Sequence, residues 1–416
     1  RSVMTHRARF LWIGLLFLSL TPAVSLAADL RFQSSTQYLW YTDPFKDKDQ
    51  SDLVQYLKFG VTKVEPTGRF SAVGYGRLSG QFGGENDPKL GDAEGLLGRL
   101  YFLYVNYALP SDRGEIRMGR QYVAVGAGSG TVDGVSAELR NLGPVRATVF
   151  AGYDVRFAET TDRTRPGNYL AGVSVGGSLF DGNNVDVSYL RKYDENDLIR
   201  EMVGVHADQR ILDKAKAYAD LRYDVLHGAY SEFLAGAKLF PFSAPVTFTA
   251  EYFASYPTFD ADTIYTAFAV TRYREGVGRV DYIVTPRLTL YGSYTRADYD
   301  GPSADVGTVG VRATPKLAPG LGLNASLDVR RGYPGSLTGF QASADYAFRK
   351  ATLAAGVTYD VFQRDSMASD FTAKKVWGGG SYEFRKNMTA RLRVEDTETR
   401  QFRNEFQGRA SVDLSF

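Results

Sequence analysis

The last eleven residues, 406–416, have the sequence FQGRASVDLSF, in which every second residue is apolar or glycine. Phe406, Val412 and Phe416 share one phase of this alternation, and Arg409 and Asp413 share the other. A period of two indicates a β-strand with one apolar and one polar face, because successive strand residues point to opposite sides. The same pattern recurs in residues 145–156, 321–330, 340–349 and 390–395. The sequence therefore predicts an all-β protein.

Composition narrows the class of protein. The chain has 416 residues, of which 44% are hydrophobic and 13% aromatic, so it is rich enough in apolar side chains to fold. It contains no Cys, which excludes disulfides, cysteine-ligated metals and covalently attached haem. The formal net charge of +2 gives no indication of a nucleic-acid partner.

The first 27 residues have the features of a secretory signal peptide. Basic residues such as Arg7 and Arg9 precede an apolar core at Phe10–Leu20, which is too short to cross a bilayer as a helix. Small residues at Ser25 and Ala27 match a signal-peptidase site. We expect cleavage after Ala27 and a single domain over residues 28–416.

Two kinds of connection separate the predicted strands. One kind is tight and rich in Pro, Gly and Asn, and the other is longer and more charged. The tight set includes residues 66–68, 143–144, 285–287 and 385–387, and the long set includes residues 83–95, 158–167 and 365–373. Short turns that alternate with long loops are typical of a transmembrane antiparallel up-and-down β-barrel. A soluble β-sandwich is disfavoured because charged side chains occur on one face of nearly every strand, where a dry core would be needed.

Counting strands on this basis predicts about 22. Residues 260–275 are interpreted as a long outer loop, but this segment has room for another hairpin, so the predicted range is 20 to 24 strands. An even number places both chain ends on the periplasmic side of a bacterial outer membrane.

The chain resembles bacterial outer-membrane porins. Residues 114–121 (GEIRMGRQ) followed by Asp133-Gly134-Val135 are similar to the region that flanks the inward-folded third loop of general porins. The terminal Phe416 is similar to the signal recognised by the barrel-assembly machinery in that class. The resemblance implies contact with outer-membrane lipid, assembly through the C-terminal strand, and a channel function.

One departure from the porin pattern leads to a second hypothesis. Residues 122–132 are the whole segment between Gln121 and Asp133, so we expect little loop to fold inward and no plug domain. A barrel of about 22 strands is ~45 Å across between backbones, which leaves a wide lumen. The first hypothesis is an open or substrate-biased channel. The alternative is a sheath barrel that another protein fills. Such a barrel resembles the porin component of porin–cytochrome conduits, and this resemblance implies a multihaem c-type cytochrome inside the barrel, with the haems on the partner and no cofactor on this chain.

Strand phase also predicts which charged side chains line the lumen. The predicted lining contains slightly more basic than acidic residues, which indicates at most a weak preference for anions. The predicted pore-lining residues are Arg146, Asp154, Arg156, Arg312, Asp328, Arg330, Asp345, Arg349, Asp360, Lys375, Glu383, Arg385, Arg391, Arg393, Glu395, Arg409 and Asp413.

Enzymatic activity is disfavoured. An outer-membrane hydrolase needs a histidine beside its nucleophile, and after loss of the signal peptide His206 and His227 are the histidines that remain. His206 is expected on the inward phase and His227 at a strand–loop junction. The acidic loop around Glu85 and Asp92 is interpreted as a solvated surface loop rather than a Ca²⁺ site, and no metal-binding motif is predicted.

Overall fold

The structure is a computed structural model that describes residues 29–43, 48–83, 97–157, 162–241, 245–260, 272–316, 318–364, 370–399 and 405–416. Within these residues, no helix has the length and apolar character needed to cross a membrane. The predicted signal peptide and most of the loops at residues 83–95 and 365–373 lie outside the described residues.

Within the described residues, twenty-two strands form one closed antiparallel sheet, which confirms the predicted barrel and its strand number. In chain order the strands are β1 Asp29–Asp43, β2 Lys48–Thr62, β3 Phe70–Gly83, β4 Leu97–Ala108, β5 Gly114–Val125, β6 Gly128–Leu142, β7 Val145–Asp154, β8 Tyr169–Gly177, β9 Asn183–Asp194, β10 Asp197–Ile211, β11 Ala215–Asp224, β12 Ala229–Leu239, β13 Val246–Ser255, β14 Tyr273–Thr285, β15 Leu288–Asp298, β16 Ser303–Ala313, β17 Leu321–Gly332, β18 Gly335–Phe348, β19 Ala351–Arg364, β20 Phe371–Arg385, β21 Met388–Glu398 and β22 Glu405–Ser415. Residues 273–275, assigned from sequence to the outer loop after residue 260, belong to β14.

The barrel closes between its first and last strands. β1 pairs with β22 in antiparallel register from Gln33 opposite Ser415 to Tyr41 opposite Gln407. Beyond this ladder, Phe32 and Phe416 exchange two backbone hydrogen bonds of 3.0 and 2.9 Å. Closure satisfies the backbone donors and acceptors of both edge strands, which a membrane-spanning sheet requires.

The two ends of the barrel differ in their connections. At the end that carries both termini, called here the terminal end, neighbouring strands are joined by two to seven residues. The opposite end, called the loop end, includes the longer segments 155–168 and 256–272. In the first of these, Arg156–Phe157 pairs with Asp162–Arg163 in a short antiparallel ladder.

The outer face is apolar, as the alternating pattern predicts. Leu323, Leu327 and Phe340, on the phase that points away from the lumen, are 40%, 43% and 44% exposed. Aromatic pairs mark the boundary of this band at the terminal end, where Tyr346 packs on Phe348 and Tyr382 on Phe384 with ring centroids 5.6 and 4.8 Å apart. An apolar outer band bounded by aromatic residues is characteristic of outer-membrane barrels.

Candidate functional site

A hairpin formed by the ends of β5 and β6 leaves the barrel wall. Towards the loop end, the pairing of β5 with β4 stops at Arg120, which lies opposite Leu103. The pairing of β6 with β7 stops at Val132, which lies opposite Asp154. The residues between, 121–131, continue to pair with one another. This segment, called here the inward hairpin, packs against the lumen side of the strands that follow. The expectation that residues 122–132 offer little loop to fold inward is therefore wrong. The segment that folds inward is formed by the ends of the two strands and not by a loop between them.

A row of glycines permits this bend. Gly119 on β5 lies opposite Gly134 on β6, which lies opposite Gly152 on β7. A Cβ atom on Gly119 would lie 2.4 Å from the carbonyl oxygen of Leu103, and one on Gly134 would lie 2.1 Å from that of Ala151. Gly119 also has a φ of +126°, which residues with side chains rarely adopt. The three glycines thus let the backbones approach closely where the hairpin turns inward.

An ion pair holds the base of the inward hairpin. The Arg120 guanidinium donates two hydrogen bonds of 2.8 Å to the Asp133 carboxylate on the partner strand. Thr164 donates a further hydrogen bond of 3.1 Å to Asp133, so the connection between β7 and β8 is tied to the same point. A bidentate arginine–carboxylate pair fixes the relative orientation of its two groups, which here are the two strands of the hairpin.

The tip of the inward hairpin docks near the middle of β9 and β10. The Ala127 backbone N–H donates to Ser188 Oγ at 2.7 Å, and the Ser188 hydroxyl donates to the Gly204 carbonyl at 3.2 Å. Arg222 Nε on β11 donates to the Gly126 carbonyl at 2.9 Å. A Cβ atom on Gly204 would lie 2.3 Å from the Ala127 nitrogen, so glycine is required for this close approach.

An apolar cluster lies beneath the hairpin inside the lumen. Phe150 on β7, Leu170 on β8, Leu190 on β9 and Met202 on β10 are each at most 3% exposed. They occupy the inward phase of their strands, which is polar elsewhere in the barrel. The hairpin contributes Val123 and Ala127 with the partly buried Val125, and Val132 follows directly on β6. Burying Phe, Leu and Met side chains stabilises the docked hairpin by about 1.5 to 3 kcal/mol each.

A second segment reaches inward beside the hairpin. Residues 256–260, called here the arm, follow β13, and Asp260 accepts hydrogen bonds from Lys192 Nζ at 2.8 Å and pairs with Arg200 Nε at 2.6 Å. Arg200 also donates to the Thr258 carbonyl at 3.1 Å. Because Lys192 and Arg200 are on β9 and β10, the arm crosses the loop end of β11 and β12.

These charges join a larger network. Lys192 lies 3.5 Å from Asp154, and Arg156 lies 3.6 Å from Asp154 and 3.2 Å from Asp194. Basic and acidic groups alternate along this chain of contacts, so the network binds the arm and the connection after β7 to one side of the lumen with little net charge.

Two cavities flank the hairpin tip. One, of about 220 Å³, lies between the tip and the arm and is lined by Leu190, Lys192 and Asp260. The other, of about 530 Å³, is lined by Met202, Arg222 and Thr258. Arg200 lines both. The inner surface of β7–β11 with the hairpin and arm is called here the hairpin wall.

The inner surface of β14–β22 is called here the opposite wall, and most of the residues predicted from sequence to line the lumen lie on these strands or in their turns. Lys375 pairs with Glu395 at 2.7 Å, Arg393 lies 3.4 Å from the same carboxylate, and Arg391 pairs with Asp413. Arg393 also lies over the Trp377 ring at 4.2 Å from its centroid. These residues form a ladder of neighbouring opposite charges across β20, β21 and β22.

Other predicted lining residues are spread around the barrel. Arg312 lies over the Tyr291 ring, Asp328 accepts a hydrogen bond of 2.6 Å from Thr308, and Arg146 lies 3.9 Å from Asp186. Arg349 lies in the turn between β18 and β19 with a φ of +47°, so it belongs to the rim and not to a strand. The rest lie on five strands of the opposite wall: Arg330 on β17, Asp345 on β18, Asp360 on β19, Glu383 and Arg385 on β20, and Arg409 on β22.

The histidines are held by carboxylates. His206 Nδ1 lies 2.6 Å from Asp220 and Nε2 lies 3.2 Å from Asp208. His227 Nδ1 lies 2.9 Å from Asp224. Because both nitrogens of His206 contact acids, neither is left to take a proton from a serine hydroxyl.

Sequence reasoning missed the inward hairpin and the arm. A signal for the hairpin was present, because Phe150, Leu170, Leu190 and Met202 are large apolar residues on the polar phase of their strands. The arm had no comparable signal, since Asp260 resembles any acidic loop residue.

Comparison with known proteins supports the architecture. No family model matches the chain, and no curated protein matches it. Among solved structures it is similar to the P pilus usher (PapC) translocation pore, with 9% identity, a TM-score of 0.50, and coverage of 93% of this chain and 100% of that chain. It is also similar to a chain of the E. coli P pilus tip assembly intermediate PapC-PapD-PapK-PapG, with 10% identity, a TM-score of 0.55, and coverage of 95% and 62%. Pseudomonas aeruginosa OpdQ matches with 11% identity, a TM-score of 0.46, and coverage of 94% and 99%.

These likenesses concern the fold. The closed antiparallel sheet, the apolar outer band and the polar inner face define the class, an outer-membrane porin-like β-barrel.

Proposed function

We propose that the protein is a diffusion channel that lets small hydrophilic solutes cross the bacterial outer membrane. The observation that carries this proposal is the inward hairpin, which is docked on one wall and so narrows the lumen at that side. Opposite it, the charged side chains of Arg391 and Arg393 are 54% and 45% exposed, which supports a solvent-accessible lining. A constriction with a wetted, mixed-charge lining limits solute size and gives weak charge selectivity.

The electron-conduit alternative is not favoured by any observation. A cytochrome threaded through the barrel would share the lumen with the inward hairpin, whose tip already occupies the middle of β9 and β10. Hydrolysis is also not favoured, since both ring nitrogens of His206 are engaged by Asp208 and Asp220.

The first experiment measures conductance and absorption on the same preparation. The tagged protein is purified from its outer membrane in mild detergent, its visible spectrum is recorded, and it is inserted into planar bilayers. We expect a haem-free protein that forms stable conducting units. A Soret band from a partner in fixed ratio, with no conductance by the isolated barrel, would overturn the channel proposal in favour of the sheath.

We further propose that the terminal end faces the periplasm and that β22 is the strand engaged during barrel assembly. The chain has no Cys, so single cysteines can be placed at Asn196 on the loop end and at Lys350 on the terminal end. A maleimide too bulky to enter the pore should label Asn196→Cys on intact cells and Lys350→Cys only after the outer membrane is opened. The reverse pattern would contradict this orientation.

A further inference from the structure

The rim at the terminal end carries an uneven distribution of charge. Over β14–β21, four consecutive turns contain basic residues and no acidic residue. Five cations lie in these turns and a sixth ends β20. These six residues, called here the basic arc, are Arg287, Lys316, Arg349, Lys350, Arg385 and Lys386.

The other half of the same rim has no such excess. The turns that follow β2, β4, β8 and β10 contain the basic residues Lys63, Arg69, Arg113 and Lys214. They contain as many acidic residues, namely Glu65, Asp112, Asp181 and Asp213. The formal charge of this half is therefore zero, while that of the four turns in the arc is positive throughout.

Contacts reinforce the difference. On the balanced half, Lys63 pairs with Asp29 at 2.8 Å. Glu65 accepts backbone hydrogen bonds from Thr67, Arg69 and Phe70 at 2.6, 2.5 and 3.2 Å. The Thr67 side chain, together with these backbone donors, lowers the pKa of the Glu65 carboxyl to about 2. Glu65 thus stays ionised and offsets its basic neighbours. None of the six residues of the basic arc forms an ion pair with another residue in the described part of the chain, and all six are exposed.

The position of the arc relative to the membrane indicates its ligand. Arg349 directly follows Phe348 and Arg385 directly follows Phe384, and both aromatic residues belong to the lipid-facing band, at 43% and 51% exposure. Aromatic residues of this band mark the level of the lipid headgroups. The turns of β18–β19 and β20–β21 are two residues long, so their cations cannot extend far beyond that level.

We infer that the basic arc binds the phosphates of anionic phospholipids in the leaflet at the terminal end, and so gives the barrel a preferred lipid partner on one side. Each Lys or Arg near an anionic surface raises association by about fivefold at low ionic strength. Several cations on neighbouring turns recruit such lipids by summing this attraction. This inference does not depend on whether the lumen conducts.

Lipid-specific fluorescence quenching tests the inference. Phe348→Trp places a reporter next to the arc, and the full chain is reconstituted in vesicles that contain brominated phosphatidylglycerol or brominated phosphatidylcholine. We expect phosphatidylglycerol to quench the reporter with at least about fivefold higher relative affinity at low salt. High salt should abolish the preference, because it screens surface charges.

Matched variants separate the arc from general surface charge. The arc variant combines Arg349→Gln, Lys350→Gln, Arg385→Gln and Lys386→Gln. It should lose the preference for phosphatidylglycerol. The control variant also removes four cations from the same rim, and it combines Lys63→Gln, Arg69→Gln, Arg113→Gln and Lys214→Gln. Its preference for phosphatidylglycerol should stay within about twofold of that of the parent. Both variants are first checked for the heat-dependent mobility shift of a folded barrel on gels.

Three outcomes would overturn the inference. The first is equal quenching by both lipids in the parent protein, and the second is an equal loss in the two variants. The third is a parent protein that shows no lipid preference but binds polyglutamate through the arc, which would assign the arc to an acidic protein instead.

Discussion

The hairpin wall and the opposite wall follow the same strand alternation but differ in what occupies the inward positions. On the opposite wall these positions carry paired charges such as Lys375 and Glu395. On the hairpin wall the corresponding positions of β7 and β9 carry Phe150 and Leu190, both 2% exposed. An apolar side chain on the inward phase is stable only where another part of the chain covers it. A patch of apolar side chains on the lumen side of a barrel wall therefore indicates that another segment folds inward and covers it.

Two inner-strand glycines, one on the hairpin wall and one on β2 outside both walls, have different roles. On the hairpin wall, Gly204 lies where any side chain would collide with the Ala127 backbone. Gly60 on β2 lies away from this wall, and a Cβ atom built there would meet nothing within 4 Å. Docking of the hairpin tip therefore requires glycine at position 204, whereas packing does not require glycine at position 60.

Removing the inward hairpin should have the largest effect on this comparison. Replacing residues 121–131 with Asn-Gly, which favours a tight hairpin turn, makes the two walls equally open. We expect single-channel conductance to rise roughly twofold to fivefold, because the narrowest cross-section widens. Planar-bilayer recording measures the change.

The control for this deletion is the loop-end connection of β9 and β10. Replacing Glu195-Asn196 with Asn-Gly changes a two-residue turn at the same end of the barrel without touching the hairpin. Its conductance should match that of the parent. If the hairpin deletion also leaves conductance unchanged, the hairpin does not lie in the conducting path.

A larger side chain at the point where the hairpin tip docks should have a smaller effect on conductance. Gly204→Val places side-chain atoms against the Ala127 nitrogen, so the tip must move away from β10 while the hairpin stays in the lumen. We expect conductance to fall by up to about twofold, with added open-channel noise, because the tip is displaced from the wall into the lumen. Gly60→Val is the matched control, and equal behaviour of the two variants would show that the tip is not docked as described.

The sequence was sufficient for the barrel and insufficient for the constriction, for a physical reason. Strand alternation is imposed by lipid on one side and water on the other, so it is visible along the chain, as in residues 406–416. Hairpin docking depends on contacts between β5–β6 and β9–β11, which are distant in sequence. Phe150 and Leu190 break the alternation where these contacts form, but the break alone does not identify the segment that covers them.

The arm offers a third and weaker test. Asp260→Asn removes the charge that bridges Lys192 and Arg200, which should loosen the arm and leave the lumen more positive. Asp281→Asn, which removes the partner of Arg279 at 2.7 Å on the opposite wall, changes the lumen charge by the same amount. We expect both variants to shift the reversal potential in a KCl gradient towards anion selectivity, and Asp260→Asn alone to add gating noise. Identical noise in both variants would contradict an anchoring role for Asp260.

Charge reversal on the opposite wall should have the smallest effect on conductance, because it leaves the hairpin and the arm in place. Arg391→Glu with Arg393→Glu leaves Asp413 without its basic partner, leaves Glu395 with Lys375 alone, and adds two further negative charges. In a wide water-filled lumen these charges act over a Debye length of about 8 Å at physiological salt and about 30 Å at 0.01 M. We therefore expect a shift towards cation selectivity that is slight at physiological salt and several-fold larger in dilute KCl. An unchanged reversal potential in dilute salt would mean that ions do not pass this wall, and that the lumen facing the hairpin is filled rather than open.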